Sequence, residues 1–212
     1  MSLARAIRKY RHTYSGKTLT RSHGALEYFS GRERAQAANK LIPQEMRVGR
    51  LLDIGCGSYP LFLLSTKFSQ KFGIDKMCSA PAQILRRFNL IPCDVEDRNG
   101  IPIEDNFLDV VTMLSVFEHI EYAKLPYVFS EIRRVLKPGG VFIITVPSTW
   151  SDIILRVMAR LNLVSRLEMA DHKTNLSNSR ITNLFKDGNF TQIESGYFEC
   201  FLNRCFAGRK GF

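Results

Sequence analysis

Leu51-Leu52-Asp53-Ile54-Gly55-Cys56-Gly57 is a short apolar run with one acidic residue, ending in two glycines one residue apart. It reads as a buried strand that stops at a turn, because glycine takes the positive φ that other residues resist. The missing side chains also let a ligand lie against the backbone. Ser58 is placed to cap a short following helix, with Pro60 tolerated in its first turn. A nicotinamide dinucleotide site needs G-x-G-x-x-G here, whereas the run is Gly55-Cys56-Gly57-Ser58-Tyr59-Pro60, with proline in the place of the third glycine. That cofactor is set aside.

Outward from this turn, apolar runs alternate with helix-like stretches, the rhythm of parallel strands joined by crossover helices. Residues 72–75 read as a second strand, 80–88 as a helix, and 90–95 as a third strand that pairs imperfectly at Pro92. Residues 108–114 read as a fourth strand. Apolar residues at 125, 128, 129, 132, 135 and 136 then mark one face of a helix that Lys137-Pro138-Gly139-Gly140 stops. Val141–Val146 reads as the fifth and central strand, 153–167 as helical, and 193–197 with 201–206 as an antiparallel pair. The expected fold class is α/β, a Rossmann-like doubly wound sheet, mostly parallel with an antiparallel C-terminal strand pair. Ligands of such sheets lie at the carboxyl ends of the strands, an edge that here collects Gly55, Asp75, Asp94, Ser115 and Pro147. Asp75, 18 positions after Gly57, can accept hydrogen bonds from both hydroxyls of a ribose.

Five ordered segments carry a resemblance: 51–57, Gly-Ile-Asp at 73–75, Cys-Asp-Val-Glu-Asp at 93–97, residues 108–120, and Glu-Ile-Arg-Arg-Val-Leu-Lys-Pro-Gly-Gly at 131–140. They resemble class I S-adenosylmethionine-dependent methyltransferases, in particular the small-molecule branch that includes ubiquinone-biosynthesis-like enzymes. The resemblance is close over residues 45–147 and looser over 170–206. It implies a backbone cradle at Gly55 and Gly57 for the methionine part of S-adenosylmethionine, with Asp53 orienting that loop and reaching the amino group. It also implies that Asp75 holds the ribose, Asp94 accepts from the adenine amino group, Val95 packs on the ring, and Leu114 and Ser115 line the methionyl side. S-adenosylhomocysteine would be the product. Tyr59 stands where relatives have a small residue. That departure keeps open a second reading, a non-enzymatic cofactor-binding or regulatory subunit.

A sulfonium methyl is intrinsically electrophilic, so the enzyme needs in-line placement of the acceptor, plus a base where the acceptor is a hydroxyl. His119, just past the fourth strand, is the first candidate base, and His172 is the second. Helix or loop shaping by Glu118-His119 is the structural alternative. Some relatives bind a divalent metal through E-x-x-E-H at this point, but Ser115-Val116-Phe117-Glu118-His119 lacks the first carboxylate, and no metal is expected.

The whole chain, 212 residues at 45% hydrophobic, fits one domain over 1–212, with a basic helical extension at 1–45 and a lid insertion at 151–170. Its apolar runs fall well short of the roughly 20 residues of a membrane-spanning helix, and the start lacks a secretory signal's apolar core, so a cytoplasmic protein is expected. Five cysteines without a C-x-x-C pair point to buried free thiols rather than to disulfides or structural zinc. The net charge of +10 is uneven: residues 1–50 hold 11 Lys or Arg against 3 acidic residues. Leu3, Ile7, Tyr10 and Tyr14 share one face of a basic amphipathic helix, suited to peripheral membrane contact or to capping an acceptor pocket. Residues 153–167 suit a lid over an anionic or lipid-linked acceptor. The Asn/Asp-Pro-Pro-aromatic signature of base amine methylation is absent after the fourth strand. The acceptor is therefore read as a small or lipid-linked molecule, and an RNA methyltransferase is an alternative resting on the basic front alone.

Overall fold

A computed structural model describes residues 27–57, 60–76, 88–151 and 176–211. The expected helices at 1–14, 80–88 and 153–167 fall wholly or almost wholly outside these residues, as do Ser58, Tyr59, Cys78 and His172. In chain order the elements are α1 (Glu27–Leu41), β1 (Arg50–Ile54), α2 (Leu61–Ser65), β2 (Gln70–Asp75), β3 (Leu90–Pro92) and β4 (Leu108–Leu114). They continue with α3 (Leu125–Val135), β5 (Leu136–Pro147), α4 (Asn178–Asp187), β6 (Phe190–Phe198) and β7 (Asn203–Lys210). No helix among the described residues is long and apolar enough to cross a membrane.

The seven strands lie in the order β3-β2-β1-β4-β5-β7-β6, with β1 to β5 parallel and β7 antiparallel to both of its neighbours. The expected terminal pair is present, β6 against β7, but β7 and not β6 lies next to β5. Two further expectations are corrected. β4, not β5, is the central strand, because the β7–β6 hairpin adds two strands beyond β5. Strand β3 stops at Pro92, so Cys93 and Asp94 lie beyond it; it sits at the sheet edge, where a proline without an N–H is tolerated.

Strands β1, β4 and β5 are largely apolar because both of their faces are covered. Leu51, Val110, Val141 and Ile143 turn toward a cluster built with Ala35 and Ala38 of α1, Ile42 just after it, and Phe62 and Leu63 of α2. Their neighbours Leu52, Val111, Phe142 and Ile144 turn the other way, toward Phe129 and Ile132 of α3 and Ile181 and Phe185 of α4. Helix α4 escaped the sequence reading, although Ser177 caps it by accepting from the Arg180 N–H at 3.4 Å and Ile181, Leu184 and Phe185 fall on one side. The Lys137-Pro138-Gly139-Gly140 stretch, expected only as a helix stop, is part of β5. Pairing of β5 with β4 shifts register between Leu108 and Val110 there, and Gly139 takes a φ of 77°. Phe201, expected in a strand, lies in the β6–β7 turn, where Glu199, Cys200 and Phe201 are all left-handed. Cys200 is exposed, against the expectation of buried thiols, whereas Cys56 and Cys205 are buried.

Arg204 of β7 is 3% exposed and fully engaged: it donates to the Pro147 carbonyl at 2.7 Å, the Leu176 carbonyl at 3.0 Å and Asn178 Oδ1 at 2.7 Å. It therefore ties the end of β5 to the start of α4. On the same face Phe129 meets Phe142 and Phe185 edge-on at 5.3 Å and Phe190 at 6.1 Å. Replacing Phe129 by Ala removes the ring that all three share, and is expected to destabilise the protein by about 3–5 kcal/mol. A urea titration should show this as a lower midpoint at unchanged slope.

Candidate active site

The carboxyl ends of β1, β2 and β4 meet at the turn that leaves β1. Gly55 and Cys56 donate backbone N–H groups to the Ile74 carbonyl at 2.7 and 3.3 Å, and Gly57 donates to Asp75 Oδ2 at 3.0 Å. The turn requires glycine: Gly55 has a φ of 72° and Gly57 of 67°. At Gly55 the requirement is double, since an added Cβ would stand 2.1 Å from Val116 Cγ2. Val116, just after β4, thus forms one wall of the turn. Ser115 itself is left-handed at φ 54°, and its N–H is held by the Thr145 carbonyl at 3.1 Å and Thr145 Oγ1 at 3.2 Å.

Asp53 is 4% exposed, and Thr112 Oγ1 donates to its Oδ1 at 2.7 Å. Burial pushes its pKa up to about 7, against the lowering pull of the Thr112 hydrogen bond and with a further push from the nearby Asp75 carboxylate. Asp75 is half-buried at the end of β2. The Cys93 N–H donates to the Asp75 carbonyl at 3.2 Å, which sets Asp94 beyond the end of the neighbouring strand. Asp94 is exposed, and its Oδ1 accepts from the Glu96 N–H at 3.0 Å, closing a local turn. Val95 is 8% exposed and packs in the larger apolar cluster with Leu52 and Ile54.

His119 ends a single 3-10 turn, Phe117–His119, and its N–H donates to the Val116 carbonyl at 2.9 Å. It is half-buried beside the buried Glu118. The structure therefore brings Asp53, Gly55, Gly57, Asp75, Leu114, Ser115 and His119 to one edge, with Asp94 one strand further out. Three residues of this site were not read from the sequence: Thr112, Thr145 and Val116. Thr112 and Thr145 are wholly buried. A signal for both existed, since each is the one polar side chain within an otherwise apolar stretch of strand, 110–114 and 141–146. No comparable signal marks Val116.

A carboxyl group whose folded pKa lies above its value of 3.8 elsewhere stabilises the fold most when protonated, and loses that contribution as pH rises through the folded pKa. For Asp53 the loss falls between about pH 4 and 7 and amounts to at most about 4 kcal/mol. Asp53→Asn keeps an acceptor for Thr112 and has no proton to lose. Its unfolding free energy should stay flatter across that window, and a variant as pH-dependent as the parent would contradict the assignment.

The geometry agrees with likenesses to known proteins. Residues 52–144 match a family model described as a methyltransferase domain. A Mycolicibacterium smegmatis protein named as an S-adenosylmethionine-dependent methyltransferase is 30% identical over 99 residues, 46% of this chain and 38% of that protein. A tRNA N(3)-cytidine methyltransferase of Danio rerio is 28% identical over 109 residues, 45% of this chain and 31% of its own. The matches thus span well under half the length of these relatives. A solved Thermotoga maritima SAM-dependent methyltransferase has the same fold, with a TM-score of 0.65 at 17% identity over 97% of this chain and 96% of that one. The ordered motifs, the strand order and the matched domain agree: residues 52–144 form a methyltransferase domain, and the chain is similar to class I S-adenosylmethionine-dependent methyltransferases.

Proposed function

We propose that the carboxyl edge binds S-adenosylmethionine and passes its methyl group to a small-molecule or lipid-linked acceptor, releasing S-adenosylhomocysteine. The observation that carries this reading is the convergence of an open-backbone glycine turn with two carboxyl groups, Asp53 behind it and Asp75 beside it. The residues fit the cofactor. One oxygen of Asp75 holds the Gly57 N–H, and a carboxylate, as a pure acceptor with two oxygens, suits the paired hydroxyls of a ribose. Asp53, once ionised, complements an ammonium group, and Asp94 with Val95 stands where an adenine would lie across the end of β3. Leu114 and Ser115 border the methionyl side next to Gly55.

The bound cofactor supplies a methyl group on a cationic sulfur, electrophilic without further activation. This chain's contribution is then alignment of the acceptor and removal of its proton. His119 is positioned on the turn beyond β4 to accept that proton from a hydroxyl. His172 is a second candidate, outside the described residues. A nucleic-acid acceptor is the second reading, favoured by the likeness to a tRNA methyltransferase and by the 11 Lys or Arg of residues 1–50.

Calorimetric titration with S-adenosylmethionine and S-adenosylhomocysteine tests the cofactor site without knowledge of the acceptor. Asp75→Ala should weaken both by at least about tenfold, the loss of hydrogen bonds to a charged acceptor. Unchanged affinity in a folded variant would refute the ribose role. His119→Ala should leave cofactor affinity intact and lower turnover by about 10²–10⁴ with loss of the corresponding limb of the pH profile. Full activity would make His119 a residue that only shapes the turn.

A further inference from the structure

Six large apolar side chains are exposed among the described residues, and their distribution is one-sided. Val48, 81% exposed, precedes β1 at the amino edge of the sheet. The other five, Phe29, Tyr122, Trp150, Tyr197 and Phe201, belong to segments at the carboxyl edge, and all five are aromatic. Phe29 lies in the first turn of α1, where the neighbouring Ser30 hydroxyl donates to Glu199 in the β6–β7 turn. Tyr122 belongs to the 3-10 turn between β4 and α3. Trp150 follows Ser148, whose Oγ donates to the Phe201 carbonyl at 2.6 Å and whose N–H donates to the Leu202 carbonyl at 2.8 Å. Tyr197 and Phe201 have ring centroids 5.7 Å apart.

The turn that carries Phe201 is unusual in its backbone. Glu199, Cys200 and Phe201 have φ values of 53°, 53° and 66°, a run of three left-handed residues without a glycine. This conformation leaves Phe201 65% exposed at its tip. Backbone of this kind persists only where the surroundings over-determine it, and Glu199 is held twice, by Ser30 and by Asn203 Nδ2 at 2.6 Å.

The positive charge lies apart from the centre of this apolar rim, where Glu199 is the one charged residue of segments 147–151 and 197–202. Residues 147–151 and 197–202 contain no Lys or Arg. Residues 1–26 contain six Lys or Arg and no Asp or Glu, and they join the fold at the first turn of α1, at the same edge. Nucleic-acid grooves interleave cations with stacking rings along one track. A bilayer surface favours the separated arrangement found here, aromatic anchors at headgroup level with cations against the lipid charge. We propose that the carboxyl edge docks on an anionic lipid bilayer through Trp150, Tyr197 and Phe201, with Phe29 and Tyr122 at the flanks and the basic residues 1–26 supplying the electrostatic attraction. Docking in this way turns the edge toward a lipid-borne acceptor. That consequence rests on the methyl-transfer reading, whereas the docking itself does not.

Trp150 is the single tryptophan of the chain and reports directly on the rim. With the full chain and vesicles of equal parts phosphatidylcholine and phosphatidylglycerol, its emission should shift to the blue and the protein should sediment with the vesicles. Added salt should weaken both effects, and pure phosphatidylcholine should produce neither. Tyr197→Ala combined with Phe201→Ala should lower partitioning at least about tenfold, and Val48→Ser at the opposite edge should leave it unchanged. No emission shift and no sedimentation with the anionic vesicles would overturn the proposal. Equal loss in Val48→Ser, or a response only to a single-stranded RNA oligonucleotide, would overturn it as well. Cofactor titration of the same preparation separates the two readings: vesicle binding without cofactor binding supports docking and sinks methyl transfer, and the converse sinks docking alone.

Discussion

Where the chain leaves β1 it has very little room. The Ile74 carbonyl of β2 takes the N–H groups of Gly55 and Cys56, the Asp75 carboxylate takes that of Gly57, and Val116 from beyond β4 occupies the space where a Cβ of Gly55 would stand. The turn is thus clamped between the two strands that flank β1. Its backbone must take positive φ to fit, which only glycine does without penalty. The clamp works because β2 and β4 run parallel to β1 in fixed register, Ile54 opposite both Ile74 and Met113. A slip in either ladder would move Asp75 or Val116 away from the turn.

The polar groups behind the turn extend the same logic into the sheet. Asp53 sits in a strand covered on both faces, so its carboxyl group is held near neutrality by burial and oriented by Thr112 of the adjacent strand. Thr145, one strand further on, holds the left-handed Ser115 through both its carbonyl and its hydroxyl. Two buried threonines thereby couple β1 to β4 and β4 to β5 at the level of the edge. The edge is organised by hydrogen bonds that run across the sheet, and no single loop forms it.

The two halves of that edge differ in chemistry. Around β1 to β3 it carries the glycine turn and the carboxylates of Asp53, Asp75 and Asp94, suited to a polar, cationic ligand. Around β5 to β7 it carries Trp150, Tyr197 and Phe201, exposed and far less polar. Insertion of β7 between β5 and β6 creates this second half, because it brings the β6–β7 turn next to the end of β5. Arg204 secures the junction from inside by bonding to Pro147, Leu176 and Asn178.

From the sequence alone the parallel strands were legible as apolar runs, the glycine turn as their punctuation, and Asp75 as a carboxylate closing the second strand, since these depend on local composition and spacing. Helix α4 was legible in principle through Ser177 and the spacing of Ile181, Leu184 and Phe185, but its pattern is short. The central position of β4 and the place of β7 are settled by pairing between residues far apart in the chain, such as Thr145 with Cys205. The raised pKa of Asp53, the left-handed backbone of Ser115 and the contact of Val116 with Gly55 have no sequence signature. Each exists only because burial and neighbouring strands impose it, and tertiary structure alone decided them.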